Sequence, residues 1–267
     1  MFGLGLRHQH HKYVLNNKPE LDFFEIHTEN FIAEGGASLN FLRHIKELYP
    51  LSFHCVGLSL GSADGVNKEH VKNIKNLIDQ FKPILISDHI SWSNSTIATA
   101  NDLLPIPYTK NALQVFCDNV KHVQDIFGQA ILVENPSAYL QYNDSEMSEV
   151  EFINNILLET DCDLLLDINN VFVTAQNFGL NAINYLNEIN HDKVREIHLA
   201  GHSIFQHENK QIRIDTHNTN ICDEVLELYK FFIKKTTRQI PTLIEWDSDI
   251  PEFETLFTEL TKVKALS

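Results

Sequence analysis

Six consecutive apolar runs of this sequence end in side chains that are able to bind metal ions. These side chains are His54, His89, Glu134, Asp167, His198 and Glu245. Runs such as Leu-Ser-Phe-His and Leu-Leu-Leu-Asp are typical of buried parallel strands. Burying several carboxylates beside histidines is costly unless cations hold them together, and neutral imidazoles with ionised carboxylates are the ligands such ions require. We therefore predict a metal site built from these residues.

Two short spacings add to this set. The loop after the run that contains His198 includes the sequence Ile-Asp-Thr-His. Asp215 and His217 therefore offer two ligands from one loop. Asp167 and Asn170 have the same potential at a strand-to-helix turn. Taken alone, any one of these residues is more often a helix cap, a hydrogen-bonded core residue or a substrate contact. Their recurrence in strand after strand favours metal binding.

Two other features have open interpretations. His8, His10 and His11 follow the first apolar run; they are surface histidines by default, with a metal role as the alternative. The segment Gly57–Asp64 is rich in glycine and serine. It is either an anion-binding loop or a turn into the next helix.

The elements that must position these residues alternate along the chain. The predicted strands are Phe2–Leu6, Asp22–His27, Leu51–Val56, Ile84–His89, Ala130–Glu134, Leu164–Ile168, Glu196–Leu199 and Thr242–Trp246. The predicted helices are Gly36–Tyr49, Lys68–Phe81, Tyr108–Phe127, Ser148–Thr160, Asn181–Ile189, Ile221–Lys235 and Pro251–Val263. Such alternation implies parallel strands joined by right-handed crossovers. Eight strands favour an α/β fold of the TIM (β/α)8 barrel type, in which all strand ends meet at one mouth.

We predict a single domain over residues 1–267. This length suits one barrel of about 250 residues, and neither a linker nor a repeat interrupts the pattern. An open doubly wound sheet gives the same alternation, but the phosphate loops GxGxxG and GxxxxGK[ST] are absent. The segments Ser91–Pro107 and Gly201–Asn220 are long for loops between a strand and a helix. Such loops are usually functional or disordered.

The composition excludes several classes of partner. A net charge of −15 repels a nucleic-acid backbone, and no basic run offsets it. No stretch of about 18 apolar residues predicts a transmembrane helix, and the first residues lack the apolar core of a signal peptide. The four cysteines form no Cys-x-x-Cys pair and are typical of reduced thiols. We therefore expect a cytoplasmic protein without nucleic-acid or membrane partners.

Ten motifs, taken together, resemble one known family. In order they are GLGLRHQH, FFEIHTENF, HCVGLSLGSAD, SDHISW, DLLPIPYT, LVENPSAYL, LLLDINNVFV, IHLAGH, IDTH and LIEWD. On these motifs the chain is similar to the DUF692 (UPF0276) family of multinuclear non-haem iron-dependent oxidases, which includes the methanobactin biosynthesis oxidase. The motif order also looks like that of endonuclease IV and xylose isomerase, which implies a barrel of that type.

The resemblance implies two or three irons in mixed Fe²⁺ and Fe³⁺ states, with zinc as the alternative metal. The implied ligands are His54, His89, Glu134, Asp167, Asn170, His198, Asp215, His217 and Glu245. Glu134 would bridge one iron, bound by the histidines of the third and fourth strands, to a second iron. A third site would use Asp215 and His217, and His202 is a further candidate. The residues expected to be catalytic are Glu134, Asp167, His198 and Glu245.

The reaction that the resemblance implies is O₂-dependent modification of cysteine residues in a ribosomally synthesised precursor peptide. The implied partner is a separate protein that binds the leader sequence of this peptide, in a heterodimer. We expect a separate partner because no extra domain for that task is visible in the sequence. Docking by β-augmentation is one mode that would serve.

Three alternatives stay open. A zinc-dependent phosphodiesterase of the endonuclease IV type has the same ligand order, although the acidic charge and Asn170, where that pattern favours histidine, argue against it. The second alternative is a sugar isomerase-like enzyme. The third, from another class, is a non-catalytic iron-binding protein. Dioxygen consumption that depends on a cysteine peptide would distinguish the oxidase from all three.

Overall fold

Eight parallel strands form a closed barrel in the computed structural model, which describes residues 1–32, 35–95, 99–208 and 210–267. The barrel strands are β1 (Phe2–Gly5), β2 (Phe23–His27), β3 (Leu51–His54), β4 (Leu85–His89), β7 (Leu132–Glu134), β8 (Asp163–Asp167), β9 (Val194–Leu199) and β12 (Thr242–Ile244). Their order around the barrel is β1-β12-β9-β8-β7-β4-β3-β2. The predicted TIM barrel is confirmed, and each predicted strand end lies within two residues of the observed one.

Helices follow most of the strands. Within the described residues they are α1 (His11–Asn17), α2 (Ala37–Leu48), α3 (Lys68–Phe81), α4 (Lys110–Phe127), α5 (Glu149–Thr160), α6 (Ile168–Phe178), α7 (Ala182–Glu188), α8 (Asp223–Ile233) and α9 (Phe253–Lys264). The sequence predicts seven of them and misses α1 and α6. None of the helices in this part of the chain is long and apolar enough to cross a membrane.

Helix α6 illustrates why periodicity fails for a buried helix. All of its first eight residues are buried, including the polar residues Asn169, Asn170 and Thr174, so the polarity of the sequence does not mark which side of this helix faces solvent. Helices α3 and α5 have polar faces and clear caps. The Asn67 side chain accepts hydrogen bonds from two amides of the first turn of α3, and the Ser148 side chain caps α5 by accepting from the Glu151 amide.

The register of neighbouring strands aligns three candidate ligands. His54 of β3 pairs with Ser87 of β4, and His89 of β4 pairs with Glu134 of β7. His54, His89 and Glu134 are each the last residue of their strand. Because the strands are parallel, all three side chains emerge at the carboxyl-terminal end, where TIM barrels carry their active sites.

The two long segments predicted as functional or disordered loops each contain an antiparallel hairpin. The first pairs β5 (Trp92–Asn94) with β6 (Thr99–Leu104), and the second pairs β10 (Ser203–His207) with β11 (Lys210–Ile214). Residues 96–98 and 209 of these segments lie outside the described residues. The first hairpin is held by Ser59, which has a left-handed φ of 55°. Its Oγ accepts hydrogen bonds from the amides of Ser93 and Asn94, at 2.9 and 3.0 Å.

The chain divides into two compact units. One comprises Met1–Glu25, Ser137–Tyr139 and Leu166–Ser267, and the other comprises Ile26–Pro136 and Leu140–Leu165. In the second unit the rings of Phe53 and Phe81 lie 6.2 Å apart and are buried. Burial of such a side chain contributes about 1.5–3 kcal/mol to stability. The single domain over residues 1–267 stays a prediction.

We predict that Gly201→Ala destabilises the fold. A Cβ at Gly201 would meet the carbonyl oxygen of Thr219 and lie 2.6 Å from its carbonyl carbon, so backbone would have to move. Because overpacking typically costs about 1–3 kcal/mol, we expect the free energy of unfolding to fall by that amount. Gly35→Ala is the matched control, since no atom lies within 4 Å of its added Cβ. Urea denaturation measures both, and equal midpoints would contradict this packing argument.

Candidate metal centre

The first cluster consists of His54, His89 and Glu134, which are buried at the ends of β3, β4 and β7. The two Nε2 atoms lie 3.3 Å apart. The Oε2 atom of Glu134 lies 3.5 Å from Nε2 of His54 and 3.3 Å from Nε2 of His89. Two ring nitrogens and a carboxylate oxygen therefore converge on one point, and metal binding by these residues stays a prediction.

The far nitrogen of each ring in this cluster has its own partner. Nδ1 of His54 lies 2.8 Å from the Ser87 hydroxyl oxygen, and Nδ1 of His89 lies 3.5 Å from the Asp88 carboxylate. A carboxylate only accepts, so Asp88 favours the tautomer of His89 that carries its proton on Nδ1. The Nε2 lone pair then points into the cluster. Partners of this kind orient metal-binding histidines.

The spacing of the first cluster fits a metal ion. A tetrahedral ion with bonds of about 2.1 Å has ligand atoms about 3.4 Å apart, which matches the three distances of 3.3–3.5 Å. Where both Nε2 atoms carry lone pairs beside the carboxylate, a proton or a metal ion between them relieves their repulsion. Imidazole and carboxylate suit iron and zinc alike, so the donor set fits either ion.

The glycine- and serine-rich loop Gly57–Asp64 contributes to binding carboxylates of the protein itself. Glu29 Oε1 accepts hydrogen bonds from the amides of Val56 and Gly57, at 3.0 and 2.9 Å. The Leu58 amide donates to Asp88 at 2.8 Å. Burial raises the pKa of the Asp88 carboxyl group. The loop therefore combines both open interpretations, because it is a turn whose amides bind internal anions.

The second cluster surrounds His198 and consists of Glu25, Glu196, His198 and Glu245. Nδ1 of His198 lies 3.0 Å from Glu245, and Nε2 lies 3.3 Å from Glu25. Glu196 presents a carboxylate oxygen within 4.8 Å of ligand atoms of Glu25 and His198. Burial alone would lower the pKa of His198, but the charges of Glu25 and Glu245 outweigh it and raise this pKa well above its ordinary value. The site therefore stabilises positive charge.

The third cluster consists of Asp215, His217, Asp247 and Arg7. Nε2 of His217 lies 2.6 Å from Asp215, and its Nδ1 lies 2.9 Å from Asp247 and 3.3 Å from Glu245. Arg7 forms an ion pair with Asp247. Burial would lower the pKa of His217, but Asp215 and Glu245 outweigh it and raise this pKa well above its ordinary value. The Glu245 carboxylate therefore lies within 3.3 Å of a ring nitrogen of both His198 and His217.

Helix α6 carries the remaining candidates at its first turn. Asp167 accepts a hydrogen bond of 2.5 Å from the Asn170 amide and so caps the helix, while its carboxylate also lies within 4.8 Å of ligand atoms of His198. The amide side chain that reaches Asp215 is that of Asn169, at 2.6 Å. Nδ1 of His202 lies 2.9 Å from Asn169. His202 therefore acts on Asp215 through Asn169, whereas a metal role of Asn170 stays a prediction.

The histidines after β1 are arranged as packing residues. Nε2 of His10 lies 2.8 Å from the Pro251 carbonyl oxygen, and the His10 side chain is buried. The rings of His8 and His11 lie 5.2 Å apart. Burial, together with the neighbouring histidines, lowers the pKa of His11 to about 4. The default interpretation as surface histidines therefore holds for the exposed His8, but it is wrong for the buried His10.

Several residues of these clusters escaped the sequence analysis, which considered only strand ends. Glu25 lies in the middle of β2, and Glu196 lies two residues before His198 in β9. Alternate residues of a strand share one face, so a glutamate two positions from a candidate ligand was a usable signal. The ion pair of Arg7 with Asp247 joins residues 240 positions apart, and no local pattern predicts it.

A comparison of the whole sequence with protein-family models decides the family. Residues 1–267 match the model described as RiPP precursor modification enzyme MbnB/TglH/ChrH, where RiPP denotes a ribosomally synthesised and post-translationally modified peptide. The chain belongs to this family. A UPF0276 protein of Psychromonas ingrahamii, 48% identical over 260 residues, covers 97% of this chain and 92% of its own length. A UPF0276 protein of Vibrio vulnificus is 45% identical over 264 residues, covering 99% and 90%. The predicted resemblance is confirmed.

Solved structures confirm the fold of this family member. Endonuclease IV from Thermus thermophilus superposes with a TM-score of 0.60 at 13% identity, covering 99% of this chain and 98% of its own. A xylose isomerase-like TIM barrel protein from Mycobacterium smegmatis, solved in complex with magnesium, gives a TM-score of 0.58 at 10% identity, covering 96% and 88%. The barrel therefore has the same fold as these two proteins. At sequence identities of 13% and 10% the likeness shows the fold alone and no shared activity.

We predict that Asp247→Asn weakens metal binding at the third cluster. An amide oxygen still accepts a hydrogen bond from Nδ1 of His217, but it lacks the negative charge that strengthens this bond and pairs with Arg7. Loss of such a partner typically lowers metal affinity about 10–100-fold. Titration of metal-free protein with Fe²⁺ without oxygen measures the affinity, with Asp249→Asn as the matched control, because the Asp249 carboxylate accepts from Asn218, outside the three clusters. Equal affinities for the two variants would contradict an orienting role of Asp247.

Proposed function

We propose that this family member catalyses O₂-dependent oxidation of a cysteine residue in a precursor peptide, using two or three iron ions. The first cluster carries the proposal, because two imidazole nitrogens and a carboxylate oxygen converge at 3.3–3.5 Å in a chain that belongs to a family of peptide-modifying enzymes. Iron held there would supply sites for a thiolate and for O₂ and would accept single electrons. The cysteine is the reductant and O₂ is the oxidant.

In this proposal the protein's own residues would hold the iron ions, orient the imidazole rings and neutralise charge. His54, His89 and Glu134 hold one iron, with Ser87 and Asp88 fixing the rings. The ligands of the other ions are Asp167, His198, Glu245, Asp215 and His217. As ligands of a metal ion, His198 and His217 would be neutral, since metal binding displaces protons from imidazole.

The cysteines of the chain leave room for a substrate thiolate. Cys55, Cys117 and Cys162 are buried, and Cys222 is half-buried. None of them belongs to a cluster of candidate ligands within the described residues. Burial raises the pKa of the Cys117 thiol to about 12, which keeps it protonated. A peptide thiolate would therefore be the one sulfur ligand of the centre.

A separate protein that captures the leader sequence of the precursor is part of the proposal. The family description supports a peptide substrate, and a leader-binding partner would hold this peptide while its cysteine is modified. We propose a heterodimer of the chain with that partner.

We predict different metal losses for two carboxylate variants. Glu134→Ala should lower the metal content at two sites together if Glu134 bridges two ions, whereas Asp215→Ala should remove only the third ion. Asp79→Ala is the control, because Asp79 lies in an exposed ion pair with Lys75. Elemental analysis of protein loaded with iron and purified without oxygen gives the counts. Loss of all metal in Asp215→Ala would overturn the division into sites.

We predict that O₂ consumption by the iron-loaded protein requires peptide cysteine. A synthetic cysteine-containing precursor peptide should stimulate oxygen uptake, in the presence of the leader-binding protein, and lose its free thiol. The same peptide with serine in place of cysteine should not. An oxygen electrode and mass spectrometry measure the two effects. Equal uptake with both peptides, or zinc filling the sites when iron is plentiful, would contradict the oxidase proposal.

A further inference from the structure

The β10–β11 hairpin presents apolar side chains to solvent beside the third cluster. Ile204, Phe205 and Ile212 are 51%, 55% and 40% exposed. Phe205 and Ile212 are a cross-strand pair on one face, whereas Ile204 pairs with Arg213 on the other. Exposed apolar residues are unusual in such number on one short hairpin and indicate an interaction surface.

The two outer edges of this hairpin differ. The Arg213 amide donates to Oδ1 of Asn177, and Nδ2 of Asn177 donates to the Arg213 carbonyl oxygen, both at 2.9 Å. Asn177 of α6 therefore occupies the outer edge of β11. An antiparallel strand directs the N–H and C=O of one residue to the same side, so the Arg213 backbone points away from β10.

The contacts at the outer edge of β11 determine which backbone groups of β10 face outward. Because Arg213 points away from β10, its partner Ile204 must point away from β11, and so must Gln206 two residues on. Ile204 and Gln206 are exposed, and no described residue bonds to their backbone groups. The outer edge of β10 therefore offers two N–H and two C=O groups to solvent. Such an edge is a template for another strand.

The base of the hairpin adjoins the candidate metal centre. Strand β11 ends at Ile214, next to Asp215, and the Ser203 hydroxyl lies 2.9 Å from the Thr216 hydroxyl. The hairpin also carries Lys210 and Arg213 against Glu208, in a chain of net charge −15. A neutral or acidic extended peptide therefore meets less repulsion here than over the chain on average.

We propose that the outer edge of β10 binds an extended segment of the peptide substrate as an added third strand. Its backbone pairs with Ile204 and Gln206, and its alternate side chains lie beside Ile204 on one face and Phe205 on the other. At about 3.4 Å per residue, a cysteine two or three residues beyond the paired segment lies roughly 7–10 Å further on, towards Asp215 and His217. This inference rests on the proposed function for the identity of the peptide.

The first test changes the protein. The probe is the synthetic precursor peptide of the oxygen-uptake experiment, with cysteine replaced by serine and a fluorescent label, added to the iron-loaded full chain. Ile204→Pro removes an N–H that points outward, so the β10–β11 pairing keeps its hydrogen bonds. We expect at least about tenfold weaker binding by fluorescence anisotropy with unchanged iron content. Ile204→Val is the matched control and should bind within about twofold of the native chain.

The second test leaves the protein intact, in case the proline disturbs the hairpin. Two peptides carry N-methyl groups at alternate residues, one series at odd and the other at even positions. Strand addition uses one alternate set of amides, so one series should lose binding and the other should keep it. Equal binding by both series, or no binding of the unmethylated peptide, would overturn the docking site.

The outcomes separate docking from catalysis. If one methylated series loses binding but the cysteine peptide consumes no O₂, the docking site stands and the proposed oxidation fails. If the cysteine peptide is oxidised and both series bind equally, the oxidation stands and the docking site fails.

Discussion

The burial of negatively charged carboxylates is the constraint that governs how side chains are arranged at the strand ends. Glu25, Glu196 and Asp167 are fully buried in one unit, and an uncompensated buried carboxylate costs several kcal/mol, roughly the stability margin of a small domain. His198 and His217 offset part of this charge, and their raised pKa values show how strongly the surroundings favour a cation. A cation bound among these carboxylates would therefore also stabilise the fold.

The polar groups just outside the clusters determine which ligand atoms face inward. Ser87 and Asp88 contact the far nitrogens of the first cluster, and Asp247 does so for His217. Backbone amides of the loop after β3 also fix carboxylates, because they donate hydrogen bonds to the side chains of Glu29 and Asp88. A site assembled from several strands needs such supports, because each ligand comes from a different part of the chain.

The sequence allows prediction of the barrel strands because each is a short apolar run, and of α3 because its polar and apolar faces alternate. It does not allow prediction of α6, whose first eight residues are all buried. The candidate ligands at strand ends were predictable from residue type. Glu25 was not recognised because it lies inside a strand. Asn170 was chosen as a candidate instead of Asn169, because the side chains of adjacent helical residues point in different directions and the sequence does not show which of them reaches Asp215.

Ser59 has a consequence for which substitutions this protein tolerates. Its backbone is left-handed, and its single hydroxyl accepts from two amides of the β5–β6 hairpin. Threonine keeps the hydroxyl but is β-branched, which disfavours a positive φ. Glycine accepts the backbone angle but has no oxygen. Two independent demands thus meet at one position, and substitution in homologous sequences should be slow there, although Ser59 belongs to none of the three clusters.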